Sequence, residues 1–360
     1  MSGLRIGIIA ASRFPVAEPF AGGLEAHVWA LADGLRRRGH EVTLFAGPGS
    51  DPRLNVELLD LRRPRISAAA RGDVSMSAPD WLDEHHAYLQ LMVRLARTST
   101  GGFDLLHNHS LHHLPIAMAG TVATPMLTTL HTPPTPWLES AIQLEESCPV
   151  TFVAVSRHTA LAWSHLVPDA RVIHNGVDVA RWRPGPGGGP LVWFGRIAPE
   201  KGTHLAIDAA ALARRSLLIA GPIADQGYFD AEISPRLGQP GIEYVGHLTH
   251  AALNRVVGEA SAALVTPCWD EPYGLVVAEA LACGTPVCAF ARGALLELLD
   301  EDCGRLVAPG DTAALARALD DVPRLSRDAA RDHAVRACSL DRMVDEYDDL
   351  YHSLAAAPVA

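Results

Sequence analysis

Apolar residues fall along this chain in short unbroken runs separated by longer stretches in which apolar and polar positions alternate at helical spacing. Runs apolar on both faces predict strands at Leu4–Ala10, Glu41–Ala46, Asp104–His107, Met126–Leu130, Thr151–Val155 and Arg171–His174. A second series follows at Leu191–Phe194, Leu217–Ala220, Ile242–Val245, Ala262–Thr266, Pro286–Phe290 and Arg305–Val307. Helical spacing predicts helices over Leu24–Arg38, Trp81–Thr98, Thr203–Ala213, Ala251–Glu259, Leu275–Cys283, Thr312–Leu319 and Asp341–Leu354. Two-sided apolar strands alternating with helices belong in parallel sheets covered on both faces.

The pattern breaks once, at Arg183-Pro-Gly-Pro-Gly-Gly-Gly-Pro190, through which no regular element can run. The expected architecture is therefore α/β, with two doubly wound, Rossmann-like domains facing a central cleft. Residues 1–182 form the first domain, 183–190 the linker and 191–338 the second domain. Residues 339–360 carry a final helix. In such sheets ligands bind beyond the carboxyl ends of the strands, so two facing domains place the site between them.

The chain's 360 residues suit two domains, and 48% apolar content is ample for two cores. A formal charge of −11 excludes a general nucleic-acid binder, which needs a basic face. It leaves room for a small phosphorylated ligand held by a few local cations. No apolar run approaches the roughly 20 residues that span a bilayer, and the N-terminus has no secretory pattern. Six cysteines without a C-x-x-C pair predict reduced thiols and a cytoplasmic protein.

Four segments carry candidate chemistry. Gly22-Gly23 opens a helix, where free N–H groups and the dipole favour an anion. The first strand is not followed by G-x-G-x-x-G, which removes the main support for a nicotinamide dehydrogenase. Phe194-Gly-Arg-Ile-Ala-Pro-Glu-Lys-Gly202 puts Arg196 and Lys201 at a strand's carboxyl end, suited to a diphosphate that gathers charge as it leaves. In Asp270-Glu-Pro-Tyr-Gly274, Pro and Gly set a turn. The N–H groups of Tyr273, Gly274, Leu275 and Val276 then form a helix N-terminus. Glu271 precedes that helix. Glu279 lies inside its otherwise apolar run, where a carboxylate is expensive without a partner. Two such carboxylates can each accept hydrogen bonds from a different pair of sugar hydroxyls. Finally, His131 ends an apolar strand in Thr128-Thr-Leu-His-Thr-Pro-Pro134 and could donate a hydrogen bond into the cleft.

Other features read as structural. His107, His109, His112 and His113 lack metal-ligand spacing and an acidic neighbour, so packing and loop roles are expected and no metal site is assigned. Arg62, Arg63, Arg65 and Arg71 read as a solvated loop, with an anionic acceptor or peripheral membrane contact as the other use. Arg36–Arg38 end a helix, where cations are favourable anyway.

Taken in order, these motifs resemble the family-4 retaining glycosyltransferases of the GT-B fold. The similarity also runs through Arg38-Gly-His-Glu-Val42, Asn175-Gly-Val-Asp178, Ala220-Gly-Pro222, Gly246 and Ala282-Cys-Gly-Thr-Pro286. The resemblance implies a nucleoside-diphosphate sugar as donor, UDP or GDP first, and a small-molecule or glycan acceptor, with neither cofactor nor metal. Arg196 and Lys201 would bind the diphosphate, Glu279 the ribose, and Glu271 with the N–H groups of Tyr273 to Val276 the donor sugar. His131 would lie near the reacting centre, Gly22-Gly23 against phosphate or acceptor, and Gly221, Gly246 and Leu248 beside the base. The last helix would cross back to the first domain. No second carboxylate is placed as a covalent nucleophile, so the resemblance implies same-face attack with the leaving phosphate taking the acceptor's proton. Two departures stand out: Arg292-Gly-Ala-Leu-Leu-Glu297 replaces a frequent Gly-Gly-x-Pro-Glu, and Arg53–Asp83 matches nothing named. Alternatives on the same architecture are a sugar-nucleotide epimerase, a sugar phosphorylase, for which no pyridoxal lysine is evident, or a non-catalytic nucleotide-sugar-binding partner protein.

Overall fold

The two series of apolar runs become two separate sheets in the computed structural model, which describes residues 3–59, 65–97, 102–144 and 148–356. The first sheet contains β1 (Arg5–Ile9), β2 (Glu41–Ala46), β3 (Val56–Leu58), β4 (Leu105–Asn108), β5 (Met126–Leu130), β6 (Val150–Ala154) and β7 (Arg171–Val172), in the order 3-2-1-4-5-6-7. The second contains β8 (Leu191–Phe194), β9 (Leu217–Ala220), β10 (Ile242–Gly246), β11 (Ala263–Val265), β12 (Val287–Phe290) and β13 (Gly304–Val307), in the order 10-9-8-11-12-13. Every pairing between these strands is parallel.

Helices cover both faces. In the first half they are α1 (Gly23–Arg37), α2 (Ala68–Arg71), α3 (Pro79–Arg97), α4 (His113–Ala117), α5 (Pro136–Ile142) and α6 (Arg157–Trp163). In the second they are α7 (Thr203–Leu212), α8 (Gln226–Tyr228), α9 (His250–Glu259), α10 (Leu275–Ala282), α11 (Leu295–Leu298), α12 (Thr312–Ala318), α13 (Arg327–Ala337) and α14 (Leu340–Ala356). Successive strand residues point to opposite faces, and the cores follow. Ile6 and Ile8 of β1 pack with Val28, Leu31 and Leu35 of α1, whereas Ile9 packs with Tyr88, Leu91 and Met92 of α3. The second sheet divides in the same way, Val192 and Phe194 on one side, Leu191 and Trp193 on the other.

Each long helix and each central strand predicted from periodicity is present within a few residues. Thr98, at the expected end of α3, lies outside the described residues, as do Arg62 and Arg63 of the basic stretch. Short elements escaped the pattern. The edge strand β3 has three residues, and α4, α5 and α6 have five to seven, too few for a helical period to show. The 11-residue α13 buries only Ala330 and Ala334, so its apolar stripe is too thin to read.

The last helix lies against the first domain. Val177 donates its N–H to Cys338 O at 2.8 Å and Leu340 donates to Val177 O at 2.9 Å, which pins the start of α14. Met343, Val344, Tyr347, Leu350 and Tyr351 then join the α1 side of the first core. Residues 183–190 are tied to the second domain, with Gly187 N–H on Gly258 O at 3.0 Å and Gly189 N–H on Glu259 O at 2.9 Å.

In both sheets the strand order reverses beside the first strand, between β1 and β4 and between β8 and β11. Such reversals open a crevice at the carboxyl ends. The loops leaving β1, β8 and β11 are the ones that carry Gly22-Gly23, Arg196 to Lys201 and Glu271 to Gly274.

Candidate active site

A cleft of about 380 Å³ runs between the two crevices, the size range of a small-molecule site. Gly22, Gly23, His131, Arg196, Lys201, Gly221, Leu248, Glu271, Tyr273, Gly274, Leu275, Val276 and Glu279 all line it. Gly246 does not line it; its carbonyl accepts from the N–H of the lining residue Gly221 at 2.9 Å.

Its most polar corner is built on the two loops of the second domain. Lys201 Nζ donates to both oxygens of Glu271, at 2.9 and 2.7 Å, and sits 5.1 Å from the ring centre of Trp269. Trp269 Nε1 donates to the same carboxylate at 3.0 Å. A cation, a carboxylate and an indole therefore meet at one point. Gly274 caps α10 with φ +100°, a left-handed conformation that glycine adopts without strain. A Cβ there would also lie 2.6 Å from Leu295 Cδ2. Gly221 is equally constrained: with φ +142°, a Cβ would fall 1.9 Å from Gly195 O. At this point the backbones of Gly195 and Gly221 lie too close for a side chain on Gly221.

Glu279 faces the cleft from within α10, among Val277, Ala278 and Ala280. Burial pushes its carboxyl up to about 8, because the charged form loses water without gaining a partner.

The N-terminus of α1 is not an open anion site in this state. Gly22 is its N-cap, and the carboxylate of Glu25, three residues on, turns back toward it, with Oε2 3.2 Å from where a Cβ on Gly22 would stand. This is the position of the acidic partner in a capping box. Burial raises the Glu25 carboxyl, and Arg196 across the cleft opposes that rise. Arg196 also contacts Glu200 at 3.4 Å. The sequence signal for this arrangement is the acidic residue at the third helical position.

His131 Nε2 lies 2.8 Å from His109 Nδ1, and the ring of His27 stands 5.0 Å from that of His131. Ligand atoms of these three histidines lie within 4.8 Å of one another. The 2.8 Å contact is a hydrogen bond; two nitrogens sharing a tetrahedral ion at about 2.0–2.1 Å sit about 3.3 Å apart. Burial holds His107, His109 and His131 well below the ordinary histidine range and His27 at about 4. Neutral in the fold but protonated below 6.5 when unfolded, these imidazoles make stability fall as pH drops from 6.5.

His27 was missed by sequence reasoning, although it is a polar residue in the apolar stripe of α1. It is 1% exposed and neither ring nitrogen has a partner. An orphaned buried polar group costs about 1–3 kcal/mol. His27→Leu is therefore expected to raise the melting temperature of the empty protein by a few degrees while lowering activity. A melt that moves downward contradicts this account.

The residues that replaced Gly-Gly-x-Pro-Glu also join the domains. Glu297 accepts from the backbone N–H groups of Arg157 and His158 at 3.0 and 2.7 Å, at the start of α6, and contacts His174 Nε2 at 3.2 Å. Thr159 Oγ1 donates to Pro272 O at 3.2 Å beside it. No sequence signal announced this clamp, since its partners are main-chain groups of another domain.

Two parallel sheets meeting over a cleft that holds cations and carboxylates define a glycosyltransferase of the GT-B type. Residues 21–181 match the model of Glycosyltransferase Family 4 and residues 189–323 that of Glycosyl transferases group 1, and the chain belongs to this family. It is 29% identical over 367 residues to the glycogen synthase of Mycobacterium tuberculosis, covering 91% of this chain and 88% of that protein. It is 28% identical to the phosphatidyl-myo-inositol mannosyltransferase of Mycobacterium leprae, covering 98% of each. AviGT4, a glycosyltransferase involved in avilamycin A biosynthesis, superposes with a TM-score of 0.70 at 25% identity over 99% of both chains. Alr3699/HepE of Anabaena, solved with UDP and glucose, has the same fold, with a TM-score of 0.75 at 19% identity, over 97% of this chain and 100% of the other.

Proposed function

We propose that the protein transfers a sugar from a nucleoside diphosphate to an acceptor hydroxyl with retention of anomeric configuration and without a metal ion. The observation that carries this reading is the corner where Lys201, Glu271 and Trp269 meet, with Arg196 and Glu279 lining the same cleft. Arg196 and Lys201 hold the diphosphate and stabilise the charge that builds as it leaves. The N–H groups at the start of α10 face the same anion. Glu271 accepts from hydroxyls of the transferred sugar and Glu279 from the ribose. Gly221, Gly246 and Leu248 frame the base, with Gly246 acting through the Gly221 loop. The acceptor, a small molecule or a glycan, enters from the first domain. Of the carboxylates that line the cleft, Glu271 is held by Lys201 and Glu279 is assigned to the ribose, and in this reading the departing phosphate is the base for the acceptor's proton.

Melting the protein against UDP-, GDP-, ADP- and TDP-sugars tests the donor class. UDP-glucose comes first because Alr3699/HepE was solved with it. A donor at 100-fold its Kd adds about 2.7 kcal/mol, and transfer in excess EDTA should proceed at an unchanged rate. A panel in which no nucleotide sugar raises the melt would sink the proposal. Inversion at the anomeric carbon, seen by NMR of the product, would overturn the retaining part alone.

A further inference from the structure

Trp269 stands two residues before Glu271 on the loop that leaves β11, and two other segments brace that loop. Cys268 donates its N–H to Glu200 O at 2.8 Å, which ties the loop to the turn that carries Lys201. Arg292 Nη1 donates to Cys268 O at 2.6 Å, and Ala294 donates its N–H to Glu271 O at 2.9 Å. Gly293 lies so close that a Cβ on it would fall 2.3 Å from Glu271 O. The segment that departs from Gly-Gly-x-Pro-Glu therefore holds the backbone on both sides of Trp269.

The direction of every hydrogen bond on the Glu271 carboxylate is fixed, because an indole N–H and an ammonium can only donate. Oε2 accepts from Lys201 Nζ at 2.7 Å and from Trp269 Nε1 at 3.0 Å. Oε1 accepts at 2.9 Å from Lys201, its sole partner among the described residues. The two oxygens therefore differ in what remains to them when a nucleotide sugar enters. Its diphosphate competes for the ammonium, which turns on a flexible stem. The indole has only two side-chain torsions and stands on the braced loop, so its N–H stays with Oε2. Oε1 is then the oxygen in need of a donor, and Glu271 and Trp269 both line the cleft.

We propose that Trp269 makes Glu271 selective: its N–H anchors Oε2 after Lys201 turns to the diphosphate, so that Oε1 meets the transferred sugar at one fixed place and reads one hydroxyl position. A carboxylate held in one orientation rejects a sugar whose hydroxyl there is inverted or missing, because Oε1 is left largely buried without a donor. An unanchored carboxylate turns to follow the hydroxyl. Trp269 is thus a positioning residue and a determinant of donor specificity, and it acts through Glu271. This inference rests on the reading that Glu271 holds the transferred sugar. Side-chain exposures of 14% for Glu271 and 22% for Lys201 place the exchange where water competes little.

The test compares kcat/KM of the full chain for its best nucleotide sugar with that for epimers and deoxy analogues, one ring position at a time on the same nucleotide. Glu271→Gln identifies the position that the carboxylate reads, as the one at which discrimination weakens most. Trp269→Phe keeps an aromatic ring beside Lys201 and removes the N–H. Its discrimination at that same position is expected to fall on the order of tenfold, the lower end for one hydrogen bond to a charged group. Discrimination elsewhere and the Kd of the free nucleoside diphosphate are expected to stay unchanged. Equal slowing of every sugar, weaker binding of the free nucleoside diphosphate, or relaxation at a position that Glu271→Gln leaves alone overturns the proposal. So does a wild type that does not distinguish the sugars. If the variant does not fold, indole 15N–1H spectra of the wild type decide. The signal displaced by Glu271→Gln belongs to Trp269 and is expected to keep its hydrogen-bonded shift when the nucleotide sugar is added; a move to the shift of a free indole overturns the proposal. Transfer with unaltered discrimination counts against Trp269 alone, whereas no transfer from any nucleotide sugar counts against the proposed function.

Discussion

Lys201→Ala is expected to lower kcat by about 10²–10³-fold, the usual effect of removing one fixed donor from a developing anion. In the empty cleft Lys201 is already oriented. It gives hydrogen bonds at 2.9 and 2.7 Å to the two oxygens of Glu271, above the Trp269 ring. Side-chain exposures of 22% and 14% mean that the pair is largely shielded from water, so the ammonium acts in a medium less screening than bulk. Arrival of a donor sets its diphosphate in competition with Glu271 for that ammonium, and Glu271 can turn its lone pairs to the sugar. The negative charge on the leaving phosphate grows along the reaction, so the lysine stabilises the transition state more than the ground state. Arg196 lines the same cleft, and Arg196→Ala should follow the same direction. Lys201→Arg restores the charge without the compact ammonium that fits over the indole, and recovery should be partial. Single-turnover transfer with saturating donor measures the effect, alongside a thermal melt. Removing Lys201 also strips Glu271 of its cation, so a modest drop in melting temperature is expected. A kcat within threefold of wild type in both alanine variants would remove the phosphate role from these two residues.

The sequence makes the scaffold of this site easy to read and its closure hard. Parallel strands buried on both faces announce themselves as unbroken apolar runs, as at Ile6–Ile9 and Leu191–Phe194. The loops after them carry chemistry in residue types that have few other uses there, such as the carboxylate of Glu279 inside Leu275–Ala282. Those signals are local. What was not legible depends on contacts between residues distant in the chain. Glu297 finds main-chain N–H groups 139 and 140 residues away, and His107 meets Tyr351 across 244 residues. No spacing rule encodes either. His27 illustrates a second limit: it sits on α1 where a helical pattern predicts an apolar face, and only the fold shows that its imidazole is left without a partner.

The donor's Kd is expected to tighten as pH rises from 6 to 8 and to level off above about 8. Glu279, facing the cleft from an apolar stretch of α10, holds its proton up to about 8 because burial penalises the anion. At pH 7 most of the empty protein therefore carries the acid form. A vicinal diol gives its two hydrogen bonds best to a carboxylate, since charge-assisted bonds are roughly twice as strong as neutral ones. Binding must then release the Glu279 proton, and below its pKa the affinity should improve about tenfold per pH unit. A nucleotide sugar is the right probe, because its diphosphate diester does not titrate across this range, whereas a free nucleotide's terminal phosphate does. Glu279→Gln should bind about 10–100-fold more weakly at pH 8.5 and show no slope. The same shift has an opposite consequence for the empty protein. The folded chain keeps the Glu279 proton to about 8 while the unfolded chain releases it near 4.5, so stability falls between those values as pH rises. Glu279→Gln should remove that loss and melt higher than wild type at pH 8 while binding worse. A Kd that stays flat from pH 6 to 9 in the wild type would show that the acid form serves the ribose equally well. Better melting together with poorer binding in one variant identifies a carboxylate that the fold holds at a cost and that the ligand repays.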